Sequence, residues 1–275
     1  MEGGNAMNRI SSSVACAFAA LLVLSALPSP AGAIVNGTFD TTHDYVGALI
    51  VPNPGRSGYT GVQDFIWCSG TLIAPRVFLV AAHCFNVVEQ FGMTVEDMAV
   101  SLAPNVMEDR KSWMAVDSYA RHPDSKYYKP DADLHGNDVD IAVVILAKAV
   151  RNVRPAVLAP VGFLDGYPDL MSAVFPFLGY GLNETFVLTG DRRIATTGFV
   201  SMGPSWLQLD GNPGTICRFD SGGPTLLASA GVEYQVGVHS LLLIPNPLCE
   251  GPFVDARVDT AVARSFLDAA IAAST

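Results

Sequence analysis

Asp220-Ser221-Gly222-Gly223-Pro224 is the stretch on which the reading of this chain turns. A serine hydroxyl is a poor nucleophile until a neighbouring imidazole takes its proton. That imidazole in turn needs a carboxylate to fix its tautomer and stabilise its cation. Working outward from Ser221, the chain supplies both partners. Ala81-Ala82-His83-Cys84 offers a base, and Asp140-Ile141-Ala142-Val143 offers an acid. Any one of these runs can arise by chance. All three together, in the order His, Asp, Ser, point to nucleophilic catalysis.

In that order and with those flanks, the chain resembles the trypsin-like, chymotrypsin-fold serine endopeptidases from about Ile34 to its C-terminus. The resemblance implies His83 as base, Asp140 as orienting acid and Ser221 as nucleophile, with the backbone N–H groups of Phe219 and Ser221 as the oxyanion hole. It implies an all-β fold: two antiparallel six-stranded barrels with the catalytic cleft between them, and a C-terminal α-helix. It also implies that Ile34-Val35-Asn36-Gly37 is a mature N-terminus whose amine pairs with Asp220. The specificity pocket would include Thr215, Ser240, Leu242 and Phe253.

The departures from that pattern are informative. Phe219 stands where glycine is usual, and glycine is the common choice where the backbone must take a strained conformation. Thr215 has no charge to attract Lys or Arg. Leu242 and Phe253 stand at or near places usually held by glycine, and Leu241 stands where tryptophan is usual. A pocket narrowed in this way favours small or aliphatic P1 residues. A second reading keeps the fold and loses the activity, leaving a binding protein.

Composition bounds the remaining choices. Half of the 275 residues are hydrophobic, enough for a large core in one large or two moderate domains. The formal charge of −10, with no basic run, argues against a nucleic-acid partner. Short apolar runs separated by Gly, Pro, Asn and Asp read as strands: Val46–Val51, Thr71–Val80, Asp140–Leu146, Ala173–Leu178, Phe199–Met202 and Glu233–Leu243. Thr260–Ala273 reads as a helix, with Val262, Phe266, Leu267, Ala270 and Ile271 at helical spacing. The expected division is a signal peptide over 1–33, an N-terminal barrel over 34–154, and a C-terminal barrel with its helix over 155–275. The proline-bearing stretch Arg151–Pro160 is the connector.

Arg9, the apolar stretch Val14–Leu27 and Ala31-Gly32-Ala33 have the layout of a secretory leader with its cleavage site. Cys16 leaves with it. Four cysteines remain, Cys68, Cys84, Cys217 and Cys249, and spacing alone allows three pairings. The resemblance implies Cys68–Cys84 and Cys217–Cys249, and export favours disulfides over a metal site. Asp124, Asp131, Asp133 and Asp138 cluster in the loop His122–Asp140, which lacks EF-hand spacing and reads as solvated rather than calcium-binding. Asn36-Gly37-Thr38 and Asn183-Glu184-Thr185 match the glycosylation pattern. The expectation is a secreted monomer, free of the membrane once the leader is removed, needing no cofactor or metal and acting on peptide or protein substrates.

Overall fold

The computed structural model describes residues 1, 34–52, 64–90, 92–126, 138–243 and 248–274. The leader, its cleavage site, Asp131 and Asp133 lie outside them. In chain order the strands are β1 (Thr38–Phe39), β2 (Val46–Pro52), β3 (Asp64–Ala74), β4 (Val77–Val80), β5 (Ala99–Ser101), β6 (Met114–Arg121) and β7 (Ala142–Leu146). They continue as β8 (Val157–Leu158), β9 (Val174–Gly179), β10 (Arg193–Met202), β11 (Trp206–Leu209), β12 (Pro224–Ser229), β13 (Val232–Leu242) and β14 (Phe253–Arg257). Two helices accompany them, α1 (Cys84–Gln90) and α2 (Ala261–Ala273).

The expected pair of barrels is present. The first closes in the order β2-β3-β4-β7-β6-β5, with β5 returning to β2. The second runs β10-β11-β14-β13-β12-β9 and closes where β9 pairs with β10 over Arg193–Gly198. Period-2 alternation does not describe these strands well, because β4 and β14 are buried throughout. Phe78, Leu72 and Leu79 fill the first barrel, and Phe175, Phe177 and Phe253 the second. Each such fully buried Phe contributes on the order of 2–3 kcal/mol by area removed from water. A third cluster joins the barrels: Val46, Ala48, Ile50 and Ile66 from one side meet Leu178, Tyr180 and Leu226 from the other.

The two ends of the described chain cross over. β1 pairs with β10 of the second barrel, whereas α2 lays Ala263 and Leu267 on the core of the first. Thr260 starts α2, its hydroxyl accepting the Ala263 N–H at 3.1 Å. Several strand readings shift in detail. Thr71–Val80 is two strands, because Pro75 and Arg76 form a turn, and Asp140 precedes β7 rather than opening it. Helix α1 is additional to the sequence reading. Asn183 is fully buried, its carbonyl oxygen accepting the N–H groups of Thr185 and Val187, so the folded chain does not offer this sequon for glycosylation.

Candidate active site

His83 lies immediately before α1, and Asp140 two residues before β7. Their strands β4 and β7 pair, which brings the two side chains together although they are 57 residues apart. His83 Nδ1 is 2.7 Å from Asp140 Oδ2, and the His83 backbone N–H donates to Oδ1 at 2.9 Å. Burial works to raise the Asp140 pKa, but the His83 charge and the hydrogen bonds from His83 and Ser240 hold it below the usual carboxylate range. An ionised carboxylate only accepts, so Nδ1 carries the proton and Nε2 is left as the basic nitrogen. The Ser240 hydroxyl donates to Asp140 Oδ2 at 2.6 Å. Ser240, read from sequence as a pocket wall, therefore spends its side chain on the acid.

The Cys68–Cys84 disulfide joins β3 to the start of α1, beside His83. Both sulfurs lie within 4.8 Å of a His83 ring nitrogen, but the bond between them removes the thiolates a metal would need. The Cys217–Cys249 disulfide braces the opposite loop.

Ser221 occupies a turn between Thr215 and β12, half-buried. Its carbonyl accepts the Ser69 N–H at 2.9 Å across the barrel interface. Gly222 has φ +86°, and a Cβ there would come within 2.4 Å of the Ser69 carbonyl oxygen, so this position requires glycine. Phe219 adopts φ +77° despite its side chain. Such a conformation costs on the order of 1–3 kcal/mol and persists only where the surroundings impose it. Here the Ser69 hydroxyl donates to the Phe219 carbonyl at 3.0 Å, and the ring packs against the cluster between the barrels. Sequence reading missed Ser69, whose partners are about as far away in the chain as the two barrels.

Asp220 and Ile34 are both fully buried, but the structure does not join them. Gly181 N–H donates to Asp220 Oδ1 at 2.7 Å and Cys217 N–H to Oδ2 at 2.8 Å. Burial pushes the Asp220 pKa up to about 7 against those two bonds. Ile34 is peptide-bonded to Ala33 in this chain, so its nitrogen is no amine. Its side chain enters the core of the second barrel, and Val35 bridges to Thr215.

Of the remaining expected pocket residues, Thr215 is buried, its hydroxyl donating to the Gly251 carbonyl at 3.0 Å. Leu242 is opposite Phe253 in the β13–β14 ladder, and Phe253 is fully buried. A second His–Asp couple, absent from the sequence reading, lies in the same ladder. His239 Nδ1 is 3.0 Å from Asp255 Oδ1, both side chains fully buried between Phe177 and Phe253.

Comparisons with known proteins agree with this architecture. Serine protease gd of Drosophila melanogaster is 35% identical over 96 residues, a match covering 33% of this chain and 17% of that protein. Hypodermin-B of Hypoderma lineatum is 24% identical over 267 residues, covering 93% of this chain and 94% of that protein. The trypsin family model matches residues 51–263, nearly all of both barrels and the first turn of α2. The chain belongs to the trypsin family.

Proposed function

We propose that the chain is a secreted serine endopeptidase working through His83, Asp140 and Ser221. The observation that carries this reading is the saturated Asp140 carboxylate, which receives three donors and so holds His83 in one tautomer. Ser221 Oγ attacks the scissile carbonyl as its proton passes to His83 Nε2. The N–H groups of Phe219 and Ser221 receive the developing oxyanion. His83 then delivers the proton to the leaving amine, which departs with the C–N bond broken. Water, activated by the same imidazole, hydrolyses the acyl-enzyme and frees Ser221. Every atom is accounted for by substrate and water, so the scheme calls for no cofactor.

The uncharged Thr215 and the bulk of Leu242 and Phe253 support small or aliphatic P1 residues. The preference is graded, because one methylene is worth only ~1–3 kcal/mol in such a pocket. Removal of the leader at Ala33 frees the Ile34 amine, which then turns to the buried Asp220 carboxylate and orders the mature enzyme. Export alone would then complete activation, with residues 34–154 and 155–275 as the two barrel domains. The two disulfides support an oxidising, extracellular setting. No described helix is long and apolar enough to cross a membrane.

The reading in which catalysis has been lost is favoured by the side chain at Phe219, where the oxyanion loop usually has glycine, and by the crowded pocket. A fluorophosphonate probe separates the two. Labelling of Ser221 in the secreted protein, abolished by Ser221→Ala, is the expected result. A secreted, folded protein that neither labels nor cleaves a peptide library would establish the binding-protein reading instead.

A further inference from the structure

The geometry points to Ser69 as a positioning residue for the oxyanion loop, holding Phe219 in the left-handed conformation that aims its N–H. This inference rests on the endopeptidase reading above. Ser69 lies inside the eleven-residue strand β3, opposite Ala48 of β2, and is fully buried. Its hydroxyl has one proton and is committed at both ends. The Tyr180 N–H donates to Oγ at 2.9 Å, which occupies a lone pair, and the proton goes to the Phe219 carbonyl at 3.0 Å.

The same residue meets the loop at two further points. Its N–H donates to the Ser221 carbonyl at 2.9 Å, and its own carbonyl lies against Gly222. The peptide before Phe219 is held independently: the Arg218 carbonyl accepts the Leu182 N–H at 2.9 Å. In a trans peptide the N–H points opposite to the C=O, so this bond turns the Phe219 N–H away from Leu182. The Ser69 bond then orients the next peptide. Between them the two bonds hold the peptides on either side of Phe219, which explains how a residue with a Cβ remains at φ +77°. The neighbour of Ser69, Cys68, is bonded to Cys84, the neighbour of His83. One strand thus registers the oxyanion loop against the base.

The test compares the parent with Ser69→Ala and Ser69→Gly, all as mature secreted protein with melting curves recorded. Both variants remove the hydroxyl and keep the backbone N–H. Should the alanine variant not fold, the glycine variant carries the measurement. Losing an oxyanion donor outright costs ~10²–10³-fold in rate, so misaiming one should lower kcat by about 10- to 100-fold. KM should stay within about twofold, and the affinity of a peptidyl boronic acid, which forms a tetrahedral adduct, should fall by the same factor as kcat/KM. In a Phe219→Gly background the penalty should shrink, because glycine enters positive φ unaided. Parent-like kcat in a folded Ser69 variant overturns the inference while leaving the endopeptidase reading standing. So does a loss carried by KM alone, or an unchanged penalty in the Phe219→Gly background. A parent that neither labels nor turns over sinks both.

Discussion

Two of the histidine–aspartate couples among the described residues are of nearly the same length and opposite character. His83–Asp140 spans 2.7 Å with side chains 11% and 5% exposed, and His239–Asp255 spans 3.0 Å with both at zero. The Asp140 carboxylate has three donors, whereas Asp255 Oδ2 and His239 Nε2 have no partner among the described residues. The first couple sits at the junction of the barrels, within reach of solvent. The second is sealed in the β13–β14 ladder among phenylalanines. A His–Asp contact alone is therefore no sign of chemistry in this fold. What separates the two is full satisfaction of the acid and access to the imidazole. The unpaired atoms of the second couple cost about 1–3 kcal/mol each, so it is held in place by the barrel around it.

The same substitution in both couples should expose the difference most strongly. Asp140→Asn is expected to lower kcat by ~10⁴-fold, about 5 kcal/mol, a loss of activity well beyond its loss of stability. Asp255→Asn should do the reverse: kcat within about tenfold, and stability down by about 1–3 kcal/mol. Replacing the second couple whole, with His239→Leu and Asp255→Leu together, should be less harmful than either change alone. Removing one partner strands a buried polar group, and removing both does not. Steady-state kinetics and denaturant titration of the five variants decide the matter. Equal kcat losses for the two Asp→Asn variants would break the contrast.

Much of the first couple is legible in the sequence, and almost nothing of the second. His83 and Asp140 stand out through local flanks, Ala81-Ala82-His83-Cys84 and Asp140-Ile141-Ala142-Val143. The apolar run after Asp140 also reads as the strand that it is, from Ala142 onward. Several strands and α2 follow from apolar runs and helical spacing in the same way, whereas the two barrels come from the family resemblance. His239 and Asp255 are single polar residues within otherwise buried strands. Their pairing follows from the register of β13 on β14, which leaves no mark on either stretch. Strand β14 itself escapes notice because Phe-Val-Asp-Ala-Arg looks half polar. Its Asp and Arg are buried only because His239, Asp165 and Asp259 meet them. Ser69, and the bond from Ser240 to Asp140, escape for a related reason: the partners lie 150 and 100 residues away, in Phe219 and Asp140. Contacts between barrels are products of the fold and carry no short-range signature.

A third buried aspartate sharpens the contrast through pH. Asp140 is held below its ordinary pKa of 3.8, so its contribution is present above that value and lost as pH falls through the folded one. Asp220 runs the other way in the unprocessed chain. Burial pushes it up to about 7, so between about pH 4 and pH 7 the folded state binds more protons than the unfolded. Stability of the unprocessed chain should therefore fall as pH rises across that window, by on the order of 4 kcal/mol, and level off above it. In the proposed activation, cutting at Ile34 would supply a cation for Asp220 and should flatten the slope. Denaturant melts of the Ser221→Ala protein, with and without the leader, measure both slopes. Identical slopes would mean that the Ile34 amine does not reach Asp220.

The smallest effect belongs to a more exposed histidine, His43, which contacts two acids away from the cleft. Its Nδ1 is 2.8 Å from Asp40 Oδ1 and its Nε2 3.2 Å from Glu233 Oε1, while Arg192 holds the other Asp40 oxygen at 2.8 Å. Burial alone would lower the His43 pKa, but the bonds to Asp40 and Glu233 outweigh it and push it up to about 9. A raised histidine stabilises fully below its unfolded pKa of about 6.5 and loses that contribution as pH rises through about 9. Glu233 is 37% exposed, so solvent screening leaves about 1–2 kcal/mol of the effect. His43→Gln should remove the decline in stability between pH 7 and pH 9.5 without changing kcat at pH 7. The couple at the cleft and this one would then differ as chemistry differs from cement. A fall in kcat with an unchanged stability profile would assign His43 to the working parts and erase that distinction.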